Sequence, residues 1–435
     1  MKKKLALLIA ALLLLVIMIP CGVSVEGKTM LRLQIVWAED SGRGLAIREI
    51  LDEFEQQNPG IKVRLIGGSQ SEQKLLTTIL SGDAPEVIQI PYRQIKALGT
   101  EGAFIDLTAK FAEKENLFYE ELWKLTKAED ERIYGYPWMG HSIQLVYNKT
   151  LFVEAGLPGP PNDWEELYQY AKKLTVDRDG DGRIDQYGLA LVGKQHPDIT
   201  WLFTMFAHQA GAKLVKEVNG EYQVALNSTE GKKALEFYVK LVNEVCPPDT
   251  GNKDGGGVMA DFRNQVAAME FQGPWGVTDI WKNGRPFEVS AAPVPAGPAG
   301  RAADIGPYML AITTGIKGEQ LEASYQLINF LGSKKGQEML MRGEKAQDGN
   351  YYPFRVPIRK DMATTEYFQQ NPEFIAFIEG MKYPSINSPI KEWVKISAEV
   401  YRSELNKAVL GLITPEEALK NIEERGNKIL AESSY

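Results

Sequence analysis

The 435-residue chain has two cysteines, Cys21 and Cys246, and three histidines, His141, His196 and His208. No two histidines stand at a metal-protease spacing, and the His-Glu-x-x-His motif is missing. The chain also lacks a Gly-x-Ser-x-Gly elbow and a Gly-x-x-x-x-Gly-Lys-Ser/Thr loop. Gly255-Gly256-Gly257 is not followed by the Lys-Ser/Thr of a phosphate cradle, so it reads as a flexible turn. His208 lies in the apolar run 201–212 and reads as a packed helix residue. Positive charge is short as well: 49 Lys and Arg against 57 Asp and Glu give a net charge of −8, which disfavours nucleic acid as a partner.

Long apolar runs are scarce. The longest, Leu5 to Ile19, has fifteen residues, short of the roughly twenty that span a bilayer. Behind the basic head Lys2-Lys3-Lys4 it reads as a bacterial export signal over residues 1–26. Two endings fit. Cys21 can be the lipidated first residue of a lipoprotein, although Met18-Ile19-Pro20 is not the small-residue run a lipoprotein peptidase favours. Gly22-Val23-Ser24 offers a small-x-small cleavage site instead. Either ending places the mature protein outside the cytoplasmic membrane, periplasmic or extracellular. With Cys21 lipidated or removed, Cys246 is left alone and no internal disulfide can form.

The remaining residues, roughly 410, exceed one ordinary core and imply two domains. Leu31 to Trp37 reads as a strand, and 45–57 as a helix with Ile47, Ile50, Leu51 and Phe54 on one face. Asn58-Pro59-Gly60 stops it. Strand 61–66, helix 71–80 and strand 86–90 complete a β-α-β-α-β rhythm, hence a sheet with helices on its faces. Ligands in such sheets sit beyond the carboxyl ends of the strands, which here carry Trp37, Gly67 to Gln70, and Pro91-Tyr92. Farther on, Asn162 or Asp163 can cap a helix bearing the stripe Trp164, Leu167, Ala171 and Leu174, with Glu165 and Glu166 in its first turn. A strand is expected over 187–192.

Aromatics are plentiful, and several stand beside glycine or proline in loops: Tyr136-Pro137-Trp138, Gly273-Pro274-Trp275-Gly276 and Gly306-Pro307-Tyr308. Flat rings suit the C–H faces of sugars; the competing explanation is ordinary aromatic core. The stretch Asp177-Arg-Asp-Gly-Asp-Gly-Arg-Ile-Asp185 spaces carboxylates at places one, three, five and nine of a calcium loop, with glycine at six. Its twelfth place is Gly188 rather than the bidentate Glu of an EF-hand. Asp177, Asp179, Asp181, the Arg183 carbonyl, Asp185 and Gln186 can form an oxygen cage for one structural calcium ion. An Asp/Gly-rich turn also needs no metal.

Four stretches carry a resemblance: "SGDAPEVIQI" (81–90), "YNKTLFVEAGLPGPPNDWEELYQYAKKLT" (147–175), "AAMEFQGPWGV" (267–277) and "VPAGPAGRAADIGPYMLAI" (294–312). In that order, and across most of the chain, they resemble the extracellular solute-binding proteins of family 1, receptors of carbohydrate-importing ABC transporters. The resemblance implies an α/β protein of two lobes, type II periplasmic-binding-protein-like, joined by hinge crossovers around a ligand cleft. Lobe one is expected over 27–146 plus 305–345, and lobe two over 147–304 plus 346–435. It implies no catalysis, a sugar or oligosaccharide ligand, the membrane permease subunits of an importer as partners, and a monomer. It also relocates the acidic loop to a connector within lobe two. Carried over residue by residue, Trp275 would stack on a sugar ring. Tyr308, where many relatives have Gly-Gly, would narrow the pocket or add a ring. Trp37, Glu39, Gln70, Tyr92, Trp138, His141, Trp201 and Arg355 are the other candidate contacts. The rivals are a glycerol-phosphate-type receptor, which wants a cationic site, a secreted carbohydrate-active enzyme with two carboxylates across the cleft, and a purely structural lipoprotein.

Overall fold

The computed structural model describes residues 27–433 except 69–71, 129, 347, 387–389 and 391. The export signal with Cys21, and the candidate Gln70, lie outside the described residues.

The first half follows the expected rhythm. Strand β1 (Thr29–Gln34) leads to helix α1 (Gly42–Gln57), which begins where the Ser41 hydroxyl accepts from the Gly44 backbone N–H. Its buried face is Ala46, Ile47, Ile50, Leu51 and Phe54. Then come β2 (Ile61–Ile66), α2 (Glu72–Leu80), β3 (Val87–Pro91), β4 (Tyr136–Gly140) and β5 (Gln144–Asn148). Helices α3 (Trp164–Lys173) and α4 (Pro197–Ala210) precede β6 (Met269–Gln272), α5 (Pro274–Lys282), β7 (Val289–Ala292), β8 (Tyr308–Ile312), α6 (Gly318–Leu331) and the two-residue β9 (Val356–Pro357).

Six strands form one mixed sheet in the order β9-β4-β8-β3-β1-β2. β1 pairs parallel with both β2 and β3, while β8 runs antiparallel between β3 and β4. β2 is the edge, and it alternates buried Ile61, Val63 and Leu65 with exposed Lys62 and Arg64. Central β3 is buried along Val87 to Ile90. A second sheet has the order β6-β5-β7, all antiparallel. Asp163 caps α3 by accepting from the Glu166 backbone N–H at 2.9 Å, and Glu166 returns to the Asn162 backbone N–H at 2.8 Å. The strand expected over 187–192 is absent as a strand. Tyr187 and Ala190 make isolated bridges to Ala267 and Glu270 beside β6.

The expected lobe boundaries need two corrections: β5, from Gln144 on, belongs to the second sheet, so the first crossing lies at 141–143 rather than after 146. β9 pairs with Gly140 and Met139 of β4, and Phe354, Val356, Ile358, Phe368, Phe377 and Met381 share the first sheet's core. The third crossing therefore lies near 382–385 rather than near 345. Trp393, Tyr401 and Leu405 and the C-terminal helix Pro415–Ser433 then pack on the second sheet's core. At the crossings three segments lie side by side. The Ile143 N–H donates to the Asp304 carbonyl, Ser142 bridges Ile305, and Ala303–Asp304 pairs parallel with Pro384–Ser385. Among the described residues no helix is long and apolar enough to cross a membrane.

Candidate ligand cleft

Where β1 ends, the chain leaves the first sheet at Trp37, and the segment before β9 brings Arg355 beside it. Arg355 is 8% exposed. Its guanidinium carbon lies 4.6 Å from the ring centroid of Trp275, 5.7 Å from Trp37 and 5.8 Å from Tyr308. Trp37 meets Tyr308 edge-on at 5.7 Å and Phe354 at 5.3 Å. Trp37, Tyr308 and Trp275 are each half-buried, so all three rings retain solvent access around a buried cation. The first two rings belong to the first sheet's lobe and Trp275 to the second's.

Nη1 of Arg355 donates to the Phe354 carbonyl at 3.0 Å, and Nε has no partner. Among the described residues no carboxylate lies within ion-pair reach of this guanidinium. Burial lowers its pKa to about 10, with the Tyr308 hydroxyl opposing and the nearby Arg43 adding to the shift. It is therefore charged at neutral pH. Arg43 stands 5.7 Å from the Trp37 ring and is itself held 3.7 Å from Glu344.

Trp275 is placed by its glycine and proline. Gly273 is the N-cap and Pro274 the first residue of α5. A Cβ on Gly273 would sit 2.3 Å from the Trp275 ring, so glycine lets the indole fold back over the helix start. The Trp275 indole N–H donates to Gln272 Oε1 at 2.8 Å. Gln272 Nε2 reaches the Gly255 carbonyl at 3.4 Å, and the Gly255 N–H donates to Asp198 Oδ2 at 2.9 Å. Asp198 Oδ1 accepts from the Trp201 indole at 3.2 Å. One hydrogen-bonded chain thus orients Trp275 and Trp201 from three distant segments of the second lobe.

His141 meets Trp275 edge-on at 4.9 Å. It fits because Gly306 has no side chain: a Cβ there would lie 2.0 Å from His141 Cε1. Nε2 is 3.9 Å from Asp304 Oδ2, but burial, reinforced by Arg355, holds the imidazole pKa well below its ordinary value. The ring is neutral, and this contact is not an ion pair. Behind the cleft, Glu270 on β6 is buried with neither carboxylate oxygen hydrogen-bonded. Burial, with Asp279 adding, raises its pKa to about 8.

The sequence profile of the bacterial extracellular solute-binding proteins matches residues 38–338. The chain belongs to that family. This solute-binding protein is 27% identical over 323 residues to YcjN of Escherichia coli (strain K12), covering 71% of this chain and 70% of that one. It is 23% identical over 394 residues to the galactooligosaccharide-binding protein of Bacillus subtilis (strain 168), covering 88% and 86%. Among solved structures, the sugar-binding protein MalE from the phytopathogen Xanthomonas citri superposes with a TM-score of 0.78 at 21% identity, covering 93% and 98%. The fold is accordingly the two-lobed type II periplasmic-binding-protein architecture.

Of the candidate contacts of this solute-binding protein, Trp37, His141, Trp275, Tyr308 and Arg355 come together, and Trp201 joins through the hydrogen-bonded chain. Glu39 is exposed and accepts from the Gly67 N–H at 3.0 Å. Two candidates are corrected. Trp138 is 0% exposed and packs in the first core with Tyr136 and Phe354, since β4 is buried along its whole length. Tyr92 is buried in a separate cluster with Ile95, Leu98 and Tyr134, where its helix packs against β3 and β8. Arg43, Asp198 and Gln272 were not anticipated. Only Gln272, beside Gly-Pro-Trp, carried a local signal.

The acidic connector is also narrower than expected. Carboxylate oxygens of Asp177, Asp179 and Asp185 gather within 4.8 Å of one another. The Asp181 carboxylate stands outside that group and accepts from the Arg183 N–H, and buried Gln186 is bonded to Arg178 and the Leu174 carbonyl. The backbone N–H of Gly182, followed by that of Gly180, holds the Asp177 carboxyl below its ordinary range.

Proposed function

We propose that this solute-binding protein captures a sugar or oligosaccharide between its lobes and delivers it, without chemical change, to the permease subunits of an ABC importer. The observation that carries the reading is the gathering of three half-exposed rings, drawn from both lobes, around one buried polar group. Aromatic faces match the C–H faces of pyranose rings, and a ligand touching both lobes favours their closed arrangement. Relatives named for galactooligosaccharide and multiple sugars point the same way. The protein acts as a monomer outside the cytoplasmic membrane, either tethered through lipidated Cys21 or released by cleavage near Ser24.

Thermal-shift and calorimetric screens over mono- and oligosaccharides test the reading. A ligand at a hundred times its dissociation constant stabilises by about 2.7 kcal/mol, a shift of several degrees. A flat response across the panel sinks it, and hydrolysis products after incubation would make the protein an enzyme instead.

The reading extends to one structural calcium held by Asp177, Asp179 and Asp185, with the Arg183 carbonyl as a further oxygen. Three carboxylate oxygens this close repel one another, and a cation would relieve what the backbone N–H groups of Arg178, Gly180, Asp181 and Gly182 leave uncompensated. Chelation should lower the melting temperature without altering sugar preference. An unchanged melting curve reduces the loop to a turn stabilised by its own N–H groups.

A further inference from the structure

Sugars of the common neutral kind offer hydroxyls and C–H faces, and neither balances a buried full charge. Yet the centre of the cleft is a guanidinium that is 8% exposed and has no carboxylate within ion-pair reach among the described residues. Its Nε, on the edge that a carboxylate grips side-on, is unpartnered. A buried charge without a counter-charge is costly, and three aromatic rings offset only part of that cost. We infer that this solute-binding protein takes a sugar bearing a carboxylate, a hexuronate or its oligomer, whose carboxylate pairs with Arg355 while Trp37, Trp275 and Tyr308 hold the ring faces. This deepens the proposed sugar-receptor reading and rests on it.

The guanidinium itself favours a single planar negative group. The planar guanidinium fork matches a carboxylate in two parallel hydrogen bonds. A phosphate monoester brings close to two charges at neutral pH and wants a second cation. Arg43 shares Glu344 with the closer Lys282, so the phosphorylated arm below decides whether Arg43 serves as that second cation. His141 faces Asp304 and Arg355 and stays neutral, so it can serve the ligand only as a hydrogen-bonding group.

Calorimetry with the full mature chain tests the inference. Galacturonate, glucuronate and digalacturonate are compared with galactose, glucose and a neutral galactose disaccharide, with galactose 6-phosphate as a third arm. The uronates should bind about 10- to 100-fold tighter than their neutral partners. That preference should shrink as sodium chloride rises from about 50 to about 500 mM. In Arg355→Gln the ratio of uronate to neutral-sugar affinity should fall to about one, whatever affinity for neutral sugars is lost with it. Arg355→Lys keeps the charge but not the fork and should fall between, which also guards against a misfolded Gln variant. Equal or tighter binding of the neutral sugars overturns the carboxylate inference and leaves the receptor reading standing. So does a preference for the phosphorylated arm. Silence from all three arms overturns both.

Discussion

Trp275→Ala loses sugar binding by about 30- to 1,000-fold, the range expected when a central aromatic anchor is truncated. The effect exceeds that of one lost ring because three contacts fail together. The indole faces Arg355 at 4.6 Å, meets His141 edge-on at 4.9 Å and anchors Gln272 through its N–H. Trp275→Phe keeps a face but leaves Gln272 without its donor, so the loss should be about tenfold or less. The ring is half-buried, so the fold should survive both changes, as a melting curve without ligand would show. Ligand titrations of the three proteins decide the matter. An Ala variant that binds within about threefold of the parent removes Trp275 from the site.

Glu270→Gln should stabilise the protein above neutral pH and leave it unchanged near pH 5. Burial raises the folded-state pKa to about 8, well above its ordinary carboxylate value. Between those two values the folded protein binds a proton that the unfolded chain releases, so stability is fully present at low pH and is lost as pH rises through about 8. The penalty at full ionisation is of the order of a few kcal/mol, since each pKa step corresponds to about 1.4 kcal/mol. The parent should therefore melt at progressively lower temperature from pH 5 to pH 9, while the Gln variant follows a flatter profile. Parallel profiles for the two proteins would show that water or movement relieves the carboxylate. Asp279 and Asp261 oppose its ionisation and Arg263 favours it, so their substitution would confound the comparison.

Local features of this fold were legible in the sequence, and long-range ones were not. Helix α3 was readable because its cap, acidic first turn and apolar stripe all lie within a dozen residues. The Gly-Pro-Trp turn was readable for the same reason. Trp138 and Tyr92 were misplaced because an aromatic beside proline at a strand end does not reveal whether the adjoining face is cleft or core. Here both β4 faces are covered, so position along the strand decided nothing. Asp198 was invisible because its partners Gly255 and Trp201 meet it only in the folded chain. The third crossing was set too early because β9 is two residues long, below any period that a sequence can display. Arg355 could be singled out in the sequence as a candidate contact, but the absence of a carboxylate within ion-pair reach is a property of packing alone.

The three segments that run between the lobes carry a mechanical consequence. Residues 141–143, 303–306 and 383–385 are tied laterally by backbone hydrogen bonds, and His208 Nδ1 clasps Ser385 at 2.8 Å. Because the three crossings are linked to one another, they should move together, and bending about them is the expected motion between the lobes. His141 lies in one of these crossings and also meets Trp275 edge-on, so a guest that shifts the indole should bear on the hinge.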